Sequence, residues 1–211
     1  MSGPDPSTSL REWSDALAAR SPTPAGGSAA AIAAGLAASL VAMVAGLTAS
    51  RASYAEARPE SEAAVERAER LRRRLFALAQ EDAETFREVL DALALPRSSE
   101  QEIARRNAAR DEGLKAAAAV QYELLLLAGE TADLAESLVL RGLRSAVGDA
   151  AAAVFLAGAC SRAAYWAIRS NLRRQRDDPE AERMADAALE RLELVEGVET
   201  RVRLRLAEQI G

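Results

Sequence analysis

Acid–base chemistry in this chain has few side chains to draw on, because histidine is absent, Lys115 is the one lysine and Cys160 the one cysteine. Proton transfer must therefore use carboxylates, hydroxyls, backbone groups, Lys115 or a bound ligand. Two aspartates stand out. Between Pro59 and Leu95 the apolar positions Leu71, Leu75, Leu78, Phe86 and Val89 follow helical spacing, and the missing member of that stripe is Asp82. A carboxylate on a buried face costs free energy unless it is paired, hydrogen-bonded or protonated; an arginine or a helix terminus would be an ordinary partner. Asp149 is the only charge between Arg144 and Arg162. Capping a helix start is the plain explanation for an aspartate after Gly148. In one shared cleft, one carboxylate can take a proton while the other supplies one.

A third element is Ser21-Pro-Thr-Pro-Ala-Gly-Gly-Ser28, which runs directly into the uncharged, Ala-, Gly- and Ser-rich stretch Ala29–Ser50. Two prolines stiffen the approach, Gly26 and Gly27 allow a sharp bend, and Ser28 is expected to cap a helix over Ser28–Ala49. Such an end presents unpaired N–H groups and a positive dipole to an anion or carbonyl oxygen, although a helix start with no further role has the same sequence. No cysteine or carboxylate cluster has zinc or di-iron spacing, so no metal is expected.

The elements that position these residues read as helices throughout. Hydrophobic residues make up 49% of the 211 positions and aromatic ones only 4%, so the apolar surface is largely Ala, Leu and Val, which favours closely packed helices. Expected helices cover Ser7–Ala19, Ser28–Ala49, Pro59–Leu95, a stretch capped by Ser98 or Ser99 and running towards Leu140, Asp149 to about Asn171, and a last one opened by Asp177-Asp178-Pro179. Gly113, Gly129 and Gly197 are expected weak points. The sum is an all-α, single-domain bundle of about six helices over residues 1–211. A net charge of −5 argues against nucleic acid as partner. Arg70, Arg72, Arg73 and Arg74, beside Glu66 and Glu69, read as a solvated helix face. Ala29–Leu47 has the length of a membrane span, but Ala, Gly and Ser contribute little to insertion, so a buried central helix is expected and no membrane partner. Cys160 reads as a small buried side chain in a reducing compartment, and with no export signal apparent the cytoplasm is the expected location.

Four blocks in order carry a family resemblance: Ser21-Pro-Thr-Pro-Ala-Gly-Gly-Ser-Ala-Ala-Ala31; Ala42-Met-Val-Ala45 with Leu47-Thr48; Asp82-Ala-Glu-Thr-Phe86 with Ala92-Leu-Ala-Leu-Pro-Arg97; and Gly148-Asp149-Ala150. Together they resemble the cyclodeaminase/cyclohydrolase family, up to about Leu172. The resemblance implies an all-α homodimer that acts on a one-carbon group between N5 and N10 of tetrahydrofolate, the folate being the substrate and no separate cofactor being needed. It makes Asp82 and Asp149 the acid–base candidates. It also gives Gly26, Gly27 and Ser28 a substrate-binding role, with Arg51 and Arg97 attracting the glutamate tail. The chain departs from the family pattern at Ala25, Gly46, Ala49, Ser50, Arg51, Gly148 and Ala167, where polar or glycine positions differ. Those departures leave a second expectation open, a dimeric helical scaffold or ligand-binding module that has lost catalysis.

Overall fold

The computed structural model describes residues 8–175 and 177–210, with side chains through 208; Ser7, the expected start of the first helix, lies outside them. Six α-helices and no strands are found among the described residues: α1 Leu10–Ala18, α2 Gly26–Ala49, α3 Arg58–Ala94, α4 Glu100–Arg141, α5 Val147–Leu172 and α6 Pro179–Ile210. Local chemistry sets their ends. Ser9 with Glu12, and Ser99 with Glu102, form reciprocal capping boxes at α1 and α4. Pro59 sits in the first turn of α3, where its missing N–H is no loss. The Asp178 carboxylate accepts the Glu180 amide at 2.9 Å and opens α6.

Helix α2 lies between α3 and α5 with α4 behind it, and α4 runs along α3, α5 and α6. Alanine makes this closeness possible: Ala34, Ala37, Ala38 and Ala45 on α2 are fully buried, as are Ala128, Ala132 and Ala135 on α4. One apolar cluster gathers Leu71, Leu75, Leu78, Leu124, Leu125 and Ile168. A second gathers Val41, Val44, Leu138, Val154, Val195 and Val198, and Leu134 packs against both. Leu75 is fully buried, so Leu75→Ala is expected to lower the unfolding free energy by about 2–5 kcal/mol, with a shifted urea midpoint and an unchanged slope.

Several expectations need correction. Helix α4 is continuous through Gly113 and Gly129, and α6 through Gly197. The first two are packing positions: an added Cβ would meet Val89 Cγ2 at 3.1 Å from Gly113, and the Arg191 guanidinium at 2.5–2.8 Å from Gly129. Helix α2 is not enclosed on all sides. It and α5 are long and apolar enough to cross a membrane, yet each buries only one side against its neighbours, and Leu36, Met43 and Leu47 on α2 remain exposed. The arginine run is only partly a solvated face. Arg70 pairs with Glu66 and Arg72 with Glu69 along α3, but Arg74 reaches across to α4.

Candidate functional site

Helix α2 begins at Gly26, two residues before the expected start, and its N-cap position, Ala25, offers no side-chain oxygen. Ser28 therefore sits inside the first turn and does not cap it. Its buried hydroxyl instead donates to Asp82 Oδ2 at 2.7 Å. On the other side of the carboxylate, Gln121 Nε2 of α4 donates to Oδ1 at 2.6 Å. Asp82 is thus held by a hydroxyl and an amide beside the first turn of α2, and no arginine among the described residues pairs with it. Both of its oxygens accept strong charge-assisted bonds from groups on two other helices.

Gly27 completes the cluster. A Cβ at this position would overlap the Asp82 carboxylate and the Gln121 amide. The glycine is there so that the α2 backbone can approach the two side chains, a requirement set by neighbours rather than by a left-handed φ. Gln121 is itself 1% exposed, and its Oε1 has no hydrogen-bond partner. A buried acceptor left unmatched costs about 1–3 kcal/mol, so the site carries an acceptor ready for an N–H or O–H donor. Gln121 was not legible as a site residue beforehand, yet a signal existed. It is the polar member of the buried α4 row Ala117, Ala118, Leu124, Leu125 and Ala128, the same anomaly that exposed Asp82 on α3.

Charge next to the cluster is fixed by Arg74, whose Nε and Nη2 donate to Glu123 at 2.6 and 2.7 Å, and whose Nη2 also donates to Glu81 at 3.0 Å. These carboxylates, Glu123 foremost, raise the Arg74 pKa above its ordinary value, while hydrogen bonding to Arg74 lowers that of Glu123. The bridge ties α3 to α4 through Glu81 and Glu123, the residue just before Asp82 and the second after Gln121. It consumes the nearby positive charge without touching Asp82.

The other expected residues are not in this cluster. Gly26 is exposed in the first turn of α2, and a Cβ there would meet nothing within 4 Å. Arg97 is exposed in the α3–α4 connection, beyond the twelve residues, or about 18 Å of helix, that follow Asp82. Arg51 lies just past the far end of α2. Asp149, exposed in the first turn of α5, is at that same far end, because the connection before it is tied to α2: the Leu143 amide donates to Thr48 Oγ1 at 3.0 Å. Twenty residues of helix separate Ser28 from Thr48, about 30 Å. The expected meeting of Asp82 and Asp149 in one cleft is therefore not made within a chain. The reason is topological: α5 starts where α2 ends, so the residue that opens α5 cannot reach the residue that faces the start of α2.

Comparison with known proteins agrees with this architecture. Residues 9–190 match the family model described as formiminotransferase-cyclodeaminase. The chain is 35% identical over 189 residues to a protein named methenyltetrahydrofolate cyclohydrolase from Methylorubrum extorquens, covering 90% of this chain and 88% of the relative. It also superposes on the crystal structure of a formiminotetrahydrofolate cyclodeaminase from Thermotoga maritima with a TM-score of 0.87 at 30% identity, covering 97% and 98% of the two chains.

Proposed function

Because this chain belongs to the formiminotransferase-cyclodeaminase family, we propose that it works on the one-carbon group held between N5 and N10 of tetrahydrofolate, hydrolysing 5,10-methenyltetrahydrofolate to the formyl form. Cyclising deamination of 5-formiminotetrahydrofolate is the related second reaction. The observation that carries this reading is the Asp82 carboxylate, clamped by Ser28 and Gln121 at the bare start of α2. The cyclohydrolase version is preferred because the relative of that name is 35% identical to this chain, against 30% for the cyclodeaminase.

In the hydrolytic direction, water adds to the electron-poor methenyl carbon and loses a proton, and the tetrahedral centre then collapses with cleavage of one C–N bond. Asp82 takes one proton from water and returns it to the departing nitrogen, and the remaining hydroxyl proton is released to solvent as the formyl C=O forms. The N–H so formed is the kind of donor that Gln121 Oε1 lacks. Ser28 and the Gln121 amide hold the carboxylate in one orientation, which raises its effective concentration at the reacting carbon. The unpaired amides of the first α2 turn are suited to a substrate oxygen. We further infer a homodimer in the cytoplasm. A thiol at Cys160 that burial pushes up to about 11, and that forms no disulfide, suits a reducing compartment.

The test is spectroscopic. The near-ultraviolet band of methenyltetrahydrofolate should decay faster in proportion to protein added, and ammonia release from formiminotetrahydrofolate should be slower. Proportional ammonia release with no effect on the band would replace hydrolysis by deamination. Inertness towards both substrates would leave a non-catalytic folate binder or scaffold, which calorimetric titration with folate separates.

A further inference from the structure

Among the described residues, buried serine and threonine hydroxyls have hydrogen-bond partners, with one exception. Ser28 donates to Asp82. Thr48, Thr131 and Ser161 each donate to the carbonyl four residues earlier on their own helix, at 2.8, 2.8 and 2.9 Å. Ser61 is 4% exposed, yet its hydroxyl forms no hydrogen bond among the described residues. A helical serine has a backbone carbonyl within reach, so this hydroxyl is turned elsewhere. It stands on the α3 row that runs through Ala68, Leu71, Leu75 and Leu78 towards Asp82, and is a second polar break in that row.

Ser61 lines a hollow of about 380 Å³ between the start of α3 and the end of α4. Ser137 lines it from α4, and its hydroxyl also forms no hydrogen bond among the described residues. Ala64, Leu134 and Leu138 make the walls apolar. Charge at the rim is unbalanced: Arg67, Arg70 and Arg141 stand against a single carboxylate, Glu60. Arg141 spends Nη2 on Glu60, and Arg67 spends Nε and Nη2 on Glu130, which leaves N–H groups on both guanidiniums. Arg70 is freer still, since its contact with Glu66 is 3.9 Å long and exposed.

We propose that this hollow is a second binding site, for a small aromatic acid whose carboxylate meets the arginine rim and whose far end carries a hydroxyl or amino group that bonds Ser61 and Ser137. The volume lies at the small end of the range of ligand pockets, about 300–1,000 Å³. Guanidiniums pair with carboxylates and stack on aromatic faces, and apolar walls disfavour an anion that is polar all round, such as phosphate. Twenty-one residues of α3, about 31 Å, separate Ser61 from Asp82, so the site is distinct from the Asp82 cluster and does not rest on the folate reading.

Calorimetric titration with 6-hydroxynaphthalene-2-carboxylate tests it. One molecule per chain is expected to bind with Kd below about 1 mM. Naphthalene-2-carboxylate, which lacks the hydroxyl, should bind about three- to ten-fold more weakly. In the Ser61→Ala/Ser137→Ala double variant the two acids should bind equally, a change that a merely structural role would not produce; alanine favours helix, so the variant should fold. Arg70→Gln is expected to weaken both acids by about two- to five-fold, and Asp82→Asn to weaken neither. No saturable heat with the wild-type protein, an intact preference for the hydroxyl in the double variant, or equal binding of the naphthalen-2-ylmethylammonium cation would overturn the proposal. Displacement of the probe by a formyltetrahydrofolate would also overturn it, because the hollow would then belong to the substrate. Probe binding in a protein inert towards folates would sink the folate reading and leave this site standing.

Discussion

Asp82→Asn is expected to lower kcat/KM for methenyltetrahydrofolate by about 10²- to 10⁴-fold, the range associated with loss of a positioned general acid–base group. Its fold should survive. The asparagine carbonyl still accepts from Ser28, and the Gln121 side chain can turn its amide so that the now unpartnered Oε1 accepts from the new Nδ2. Ser28, Asp82 and Gln121 come from three different helices, so a substitution that keeps shape and removes only the ability to carry a proton separates chemistry from packing. Thermal unfolding within a few degrees of wild type, together with retained folate binding by calorimetry, would complete the expected pattern. A kcat unchanged within two-fold would mean that Asp82 holds helices together and does nothing else.

Gly27→Ala should act on the same cluster through space rather than charge. One methyl group on α2 would occupy the volume now taken by the Asp82 carboxylate and the Gln121 amide. Helix α2 is pinned along its length by fully buried alanines and valines, so the side chains must give way. A displacement of about 1 Å at a reacting group can cost on the order of 10²-fold in rate, and a loss of that size in kcat is expected, with a smaller change in KM. The melting temperature of this variant, measured beside its kinetics, shows whether the damage is local. Unchanged kinetics would mean that the close approach at Gly27 has no part in turnover.

The helices were readable because alanine and leucine periodicity dominates the chain and because Ser99, Pro59 and Asp178 mark starts in ways local chemistry explains, whereas the Ser9–Glu12 capping box that opens α1 was not picked out. Asp82 was readable for the same reason: a charge in an apolar row is visible without any knowledge of what faces it. Two things were not. Ser28 has the composition of a cap, and only the packing of α2 against α3 shows that its hydroxyl is spent on Asp82. The pairing of Asp82 with Asp149 treated two isolated carboxylates as neighbours, whereas the direction in which α5 returns along α2 decides the matter, and that direction is a property of the bundle. The glycines of α4 were misjudged because a weak helix former in a long buried helix is stabilised by the tertiary contacts its small size permits.

The most direct test of the central claim is a crystal structure with a bound one-carbon folate, such as the formyl product of methenyltetrahydrofolate hydrolysis. The one-carbon unit is expected within hydrogen-bond distance of an Asp82 oxygen, with a substrate N–H pointing at Gln121 Oε1 and the first turn of α2 facing a substrate oxygen. A folate seated instead in the separate hollow of about 380 Å³ lined by Ser61, Arg67, Ser137 and Arg141, with Asp82 still bonded only to Ser28 and Gln121, would contradict it.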